Sequence, residues 1–275
     1  YQHISNEIKP YIGSLTQQLI RTLKAKEARF WVREQEEGQI DSRALHKLLN
    51  RGSPKVFKQK QDCETDSVAV SLLIDLSGSM NGARISMARK IAVLFAETLY
   101  KLKVPFEILG FTTVRSKRKF SELVKECGMD EQELIQSYAR FIPAEYTVFK
   151  AFNEPFHTLK SRITEMKAGD YTPLDDAVLF TAKRIIQRRE PRKIILVLTD
   201  GEPYSGNPIL QRAVVDHLID NLYKIHKAGI ECIAIGIAAE YVRRFFQDSI
   251  VVHELSELPK AFYTKFSELL KNTRR

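Results

Sequence analysis

The sequence predicts a doubly wound α/β fold, a mostly parallel sheet flanked by helices, with an N-terminal helical extension. Two observations carry this expectation. From Val68 onward, short β-rich runs alternate with long amphipathic stretches, the pattern of a parallel sheet covered on both faces. Two of those runs end in an aspartate, Asp75 and Asp200, the strand-to-loop grammar of a ligand-binding sheet edge.

Taken in order, Tyr11 to Arg33 carries Leu15, Leu19 and Leu23 and reads as a helix. Ser42 to Asn50 reads as a second, with Asp41 as its N-cap and Gly52 just past its end. Lys55 to Lys60 alternates like a strand and is expected to pair with Val68 to Asp75 through the polar turn between them. These segments form an extension, residues 1–65, packed on a main domain of residues 66–275. Within that domain the strands are Val68 to Asp75, Phe106 to Phe111, Lys193 to Thr199 and Glu231 to Ile237. Ile85, Ala88, Ile91, Phe95, Leu99 and Leu102 fall at helical spacing, so 82–102 forms a crossover helix. Similar stripes mark 174–187 and 209–227. Ala144 to Phe149 reads as an edge strand, and Leu255 to Leu270 as a closing helix on Leu258, Phe262, Phe266 and Leu269.

Composition narrows the function. An apolar share of 44% and a charged share of 28% place the chain among globular proteins, and no apolar run approaches the roughly 18 residues of a membrane span. Cys63, Cys127 and Cys232 form no CxxC pair, which argues for a reducing cytoplasm over a disulfide framework or a thiolate zinc site. The chain opens on Tyr1 without a basic-then-apolar leader, so a cytoplasmic fragment of something longer is expected. A net charge of +9, with basic clusters at Arg115 to Lys119 and at Arg188, Arg189, Arg192 and Lys193, permits nucleic-acid contact. Neither cluster is interleaved with stacking aromatics, and docking faces for an acidic partner are the better reading.

The chemistry concentrates at Asp75-Leu76-Ser77-Gly78-Ser79. Ser77 and Ser79 alternate along a turn in which Gly78 allows both hydroxyls to point at one centre. Asp200 brings a second carboxylate to the same edge, and two carboxylates roughly 4 Å apart repel by about 4 kcal/mol at an effective dielectric near 20. That repulsion asks for a cation, and an all-oxygen set of Asp75, Ser77, Ser79, Thr172 and Asp200 suits Mg2+, with Mn2+ or Ca2+ as substitutes. Thr172 has an alternative role, as N-cap with Pro173 at the first helical position and Asp175 as the capping-box acid.

This ordered set resembles the metal-ion-dependent adhesion site of von Willebrand factor A (VWA) domains. The resemblance implies Mg2+ contacts from Ser77, Ser79 and Thr172, with Asp75 and Asp200 acting through water. A closer likeness is to the C-terminal part of the CobT subunit of aerobic cobaltochelatase, through Glu36 to Asp41, Leu72 to Met80, Glu107 to Thr113 and Ile233 to Ile237. It implies a non-catalytic subunit that assembles with a CobS-like AAA+ ATPase, and with a large chelatase subunit, to drive cobalt insertion into a corrin ring. In this reading the ATPase supplies the acidic ligand to the metal.

Two other readings stand beside it. One is a VWA adaptor of another AAA+ motor complex unrelated to cobalamin. The other is a Mg2+-dependent phosphatase, which also places an Asp at a strand end but needs a second acid two residues on, where this chain has Ser77. GxSxG, HExxH and P-loop motifs do not occur, so nucleophilic, zinc and NTPase chemistries lack their parts.

Overall fold

The computed structural model describes residues 1–27, 31–40, 56–60, 68–114, 125, 128, 143–204, 211–262 and 264. The helix expected at Ser42 to Asn50, the cluster at Arg115 to Lys119, Cys63, Cys127, Phe266 and Leu269 lie outside the described residues.

The elements in chain order are α1 (Gln2–Glu27), β1 (Trp31–Gln35), β2 (Gln39–Ile40), β3 (Phe57–Lys60), β4 (Val68–Asp75), α2 (Ala83–Lys101), β5 (Phe106–Thr113) and β6 (Ala144–Lys150). They continue with α3 (His157–Arg162), α4 (Leu174–Ile185), β7 (Arg192–Thr199), α5 (Gln211–Lys227), β8 (Ile230–Ile237), α6 (Val242–Phe245) and β9 (Asp248–Val252). The main sheet has the order β6-β5-β4-β7-β8-β9. Five strands are parallel and β6 runs antiparallel along the edge beside β5. The chain leaves β4 toward β5 on one side and later returns to place β7 on the other. The strand order therefore reverses between β4 and β7, the topological switch point of a doubly wound sheet.

Period-two alternation along the strands distributes side chains between two helical layers. Val70, Leu72 and Ile74 of β4, with Leu196 of β7 and Ile235 of β8, pack against α1, α2 and the start of the closing helix at Leu258 and Phe262. Ala69, Leu73, Val197 and Ala234 face the other way, against Leu174, Val178 and Ile185 of α4 and Leu218 and Ile225 of α5. A buried ion pair interrupts this second layer. Glu107, fully buried, accepts from the Ser71 hydroxyl at 2.8 Å and from Arg184 at 3.0 and 2.8 Å.

The N-terminal segment departs from expectation in three ways. Helix α1 starts at Gln2 and runs through Pro10, because Ile8, Ile12 and Leu15 bury a stripe against the α2 side of the core and outweigh the proline. It ends at Glu27, and the Trp-Val-rich stretch that follows forms β1 instead of continuing the helix to Arg33. Strand β3 pairs with β1 and β2 in a separate three-stranded antiparallel sheet rather than with β4. Strand β9, a five-residue run ending Ile-Val-Val, was not expected and extends the main sheet beyond β8. Cys232 is half-buried in β8, where desolvation pushes its thiol up to about 12.

Candidate metal centre

Asp75 ends β4 and Asp200 follows β7, so the switch point brings both carboxylates to one carboxyl edge. Asp75 is wholly buried, and both of its oxygens are held. Oδ1 accepts the Ser77 backbone N–H at 2.8 Å and Oδ2 accepts the Thr199 hydroxyl at 2.6 Å. Burial nevertheless dominates and pushes the carboxyl up to about 6, with Asp200 adding to the rise and the two hydrogen bonds opposing it.

The serine hydroxyls of the loop meet as the sequence requires. Ser77 Oγ and Ser79 Oγ lie 3.0 Å apart, and the Ser79 hydroxyl donates to Asp200 Oδ1 at 2.7 Å. The turn between them is a short 3-10 helix, Gly78–Met80, and Gly78 has no left-handed φ. The left-handed glycine is Gly82, at φ 78°, which turns the chain from this loop into α2.

Thr172 arrives from a different direction. Residues 169–172 lie against the serine loop, with Gly169 N–H donating to the Leu76 carbonyl and Gly78 N–H to the Asp170 carbonyl at 2.6 Å. Thr172 also exchanges two backbone hydrogen bonds with Tyr204, just past Asp200, which ties the third loop to the second. The capping role open to it in the sequence is not used. Helix α4 begins at Leu174, its N-cap is Pro173 with no side-chain cap, and Asp175 pairs with His217 at 2.9 Å. The Thr172 hydroxyl makes no hydrogen bond to a described residue, and solvent reaches it although the residue as a whole is only 6% exposed.

Four supporting residues escaped the sequence reading. Thr112 and Thr113, at the end of β5, accept the backbone N–H groups of Asp170 and Tyr171 at 2.9 and 3.0 Å and so anchor the Thr172 loop. Thr199 locks Asp75, and Arg84 pairs with Asp200 at 2.8 Å. The threonines looked like ordinary strand residues and Arg84 like an exposed helix position. The one available signal was that Thr112, Thr113 and Thr199 all stand at carboxyl ends of strands.

Among the described residues no cluster of three or more His, Cys, Asp or Glu is placed to hold a metal, so a site here depends on hydroxyl donors. The donor chemistry fits a hard divalent cation. Two carboxylates, two touching serine hydroxyls and one unpartnered threonine hydroxyl are all oxygens, and neither thiol nor imidazole belongs to the set.

Comparison with known proteins agrees with this geometry at the level of fold and family. The vWF domain of the type V pili tip protein Mfa5 from Porphyromonas gingivalis superimposes with a TM-score of 0.52 at 12% identity, covering 78% of this chain and 98% of that one. The PilB minor pilin from Streptococcus sanguinis gives 0.51 at 14% identity, over 80% and 65%. In sequence, YojO of Bacillus subtilis (strain 168) is 26% identical over 282 residues, 98% of this chain and 40% of its own length. Protein NorD of Stutzerimonas stutzeri is 26% identical over 189 residues, 64% of this chain and 27% of its own. The chain thus spans less than half the length of either relative. The family described as "Cobalamin biosynthesis protein CobT VWA domain" matches residues 56–272, and the chain belongs to it.

Proposed function

We propose that this chain is a non-catalytic, Mg2+-dependent protein-interaction subunit that couples an AAA+ ATPase partner to a client. Asp75, Ser77, Ser79, Thr172 and Asp200 would hold the cation, which when bound supplies a positive centre for a carboxylate of the ATPase. The observation that carries this reading is the hydrogen-bonded run of Ser77, Ser79 and Asp200 oxygens, with the backbone of the Thr172 loop tied both to the serine loop and to Tyr204. Membership of the CobT family supports a client reaction of cobalt insertion into a corrin ring, in a cytoplasmic complex with a CobS-like ATPase and a large chelatase subunit. Residues 1–65 would act as an extension to a metal-binding domain of 66–275.

A second reading draws on the relatives. It takes the chain as an adaptor for a different AAA+ motor, with YojO and NorD as relatives in which the matched region is part of a longer protein. Both readings need the same metal centre and differ in the client. Calorimetric titration with Mg2+ should give one site in the wild type and none in Asp75→Ala. Capture of a CobS-like AAA+ ATPase should be lost in EDTA. ATPase capture unaffected by EDTA would refute the metal-dependent reading. Cobalt insertion into a corrin by the reconstituted complex separates the first reading from the second.

A further inference from the structure

Asp200 is engaged from two sides. Its Oδ1 accepts the Ser79 hydroxyl, and its Oδ2 accepts Arg84 Nη1 at 2.8 Å. The same Nη1 donates to the Ser79 backbone carbonyl at 3.2 Å, so one guanidinium spans both halves of the site. Arg84 stands in the first turn of α2, directly after the Gly82 turn, which gives it a rigid base beside the serine loop. Its side chain is 44% exposed while that of Asp200 is fully buried. The positive charge is permanent, since a guanidinium is not deprotonated in proteins.

We propose that Arg84 sets the balance between cation affinity and carboxylate affinity at this centre. The inference rests on the reading of the site as a Mg2+ centre. Two carboxylates and one guanidinium leave the pocket a single negative charge, so a bound dication turns it positive. Without the guanidinium the same dication would only neutralise the pocket. Arg84 therefore weakens the hold on the cation, because it occupies a carboxylate oxygen and repels positive charge. It strengthens the attraction for an incoming acid for the same reason. The neutral hydroxyls of Ser77, Ser79 and Thr172 cannot make this adjustment, since they contribute dipoles and no net charge. A partner that offers a carboxylate would thus meet a cation with unspent charge, and the solvent-exposed part of the Arg84 guanidinium adds a second positive group on the same carboxylate, Asp200.

The test uses the full chain as wild type, Arg84→Gln, Arg84→Ala and Arg84→Lys. Mg2+ affinity is measured by calorimetry, and acid capture by the EDTA-sensitive part of retention on immobilised poly-L-glutamate. Removing the charge should tighten Mg2+ binding roughly tenfold and lower EDTA-sensitive retention by a similar factor. Arg84→Lys should stay near the wild type in both. Circular dichroism in EDTA checks that each variant is folded, which the exposed position of Arg84 favours. If the wild type binds Mg2+ and the charge-removing variants bind it equally or more weakly, the proposal falls and the metal centre stands. If the wild type binds no Mg2+, both fall.

Discussion

Replacing Asp75 with Asn should stabilise the protein at neutral pH in EDTA while removing cation binding. The carboxyl is wholly buried and its folded pKa stands at about 6, against about 3.9 for an aspartate in an unfolded chain. The gap of about 2 units corresponds to about 3 kcal/mol. Because the folded state holds the proton more tightly, stability from this group is greatest below about pH 4 and falls as pH rises through about 6. Asparagine removes that slope. It keeps an oxygen for the Ser77 N–H, and the Thr199 hydroxyl can turn to accept from the new amide, so little geometry is lost. Urea unfolding in EDTA at several pH values, wild type beside variant, isolates the difference from other titrating groups. The two should converge near pH 4, and the variant should be more stable by about 2 to 3 kcal/mol at pH 7.5. A variant less stable than the wild type at pH 7.5, or a difference that ignores pH, would refute the argument that burial dominates Asp75.

Thr199→Val should cost about 1.5 to 3 kcal/mol at neutral pH by stripping a buried carboxylate of a hydrogen bond, and should weaken Mg2+ binding by about 10- to 100-fold; urea unfolding and calorimetry measure the two effects. Gly169→Ala should lower Mg2+ affinity by displacing the Thr172 loop, since a Cβ there would drive into the Thr112 side chain. Gly78→Ala should be mild by the same assay, because its Cβ would meet the Asp170 and Gly169 carbonyls at 3.4 and 3.5 Å, ordinary contact distances. Arg184→Met should destabilise the fold by about 2 to 3 kcal/mol by leaving the buried Glu107 with only the Ser71 hydroxyl, and Glu107→Leu in the same background should recover much of the loss in urea unfolding.

The parallel sheet and the two aspartates were legible in the sequence because each depends on local pattern. An apolar run that stops at an acid marks both a buried strand and its carboxyl end. Thr172 could be named from its motif but not placed, since its position follows from a loop anchored by Thr112 and Thr113 far away in the chain. Arg84 was illegible for a related reason, because an arginine in the first turn of a helix looks like solvated surface until the fold sets Asp200 beside it. The pairing of β3 was misread because alternation reports a strand and says nothing of its neighbour. Strand β9 was too short to register against its surroundings.

The antiparallel course of β6 has a mechanical consequence. It carries the chain away from the metal edge, from Ala144 opposite Thr113 down to Lys150 opposite Ile108, where the Lys150 ammonium is clamped between the Phe106 and Ala151 carbonyls at 2.9 Å each. Residues 151–168 must then climb back the length of β6, about 20 Å, before Gly169 can dock on Leu76. That ascent passes through α3 and is pinned near its end by Arg89, which grips the Met166 carbonyl. The segment is thus an arm fastened at both poles, by Lys150 at the lower one and by Thr112, Thr113, Leu76 and Gly78 at the metal edge. Because Gly169 and Asp170 are bonded to Leu76 and Gly78, a displacement of the β6 flank would reach the serine loop and Thr172 together.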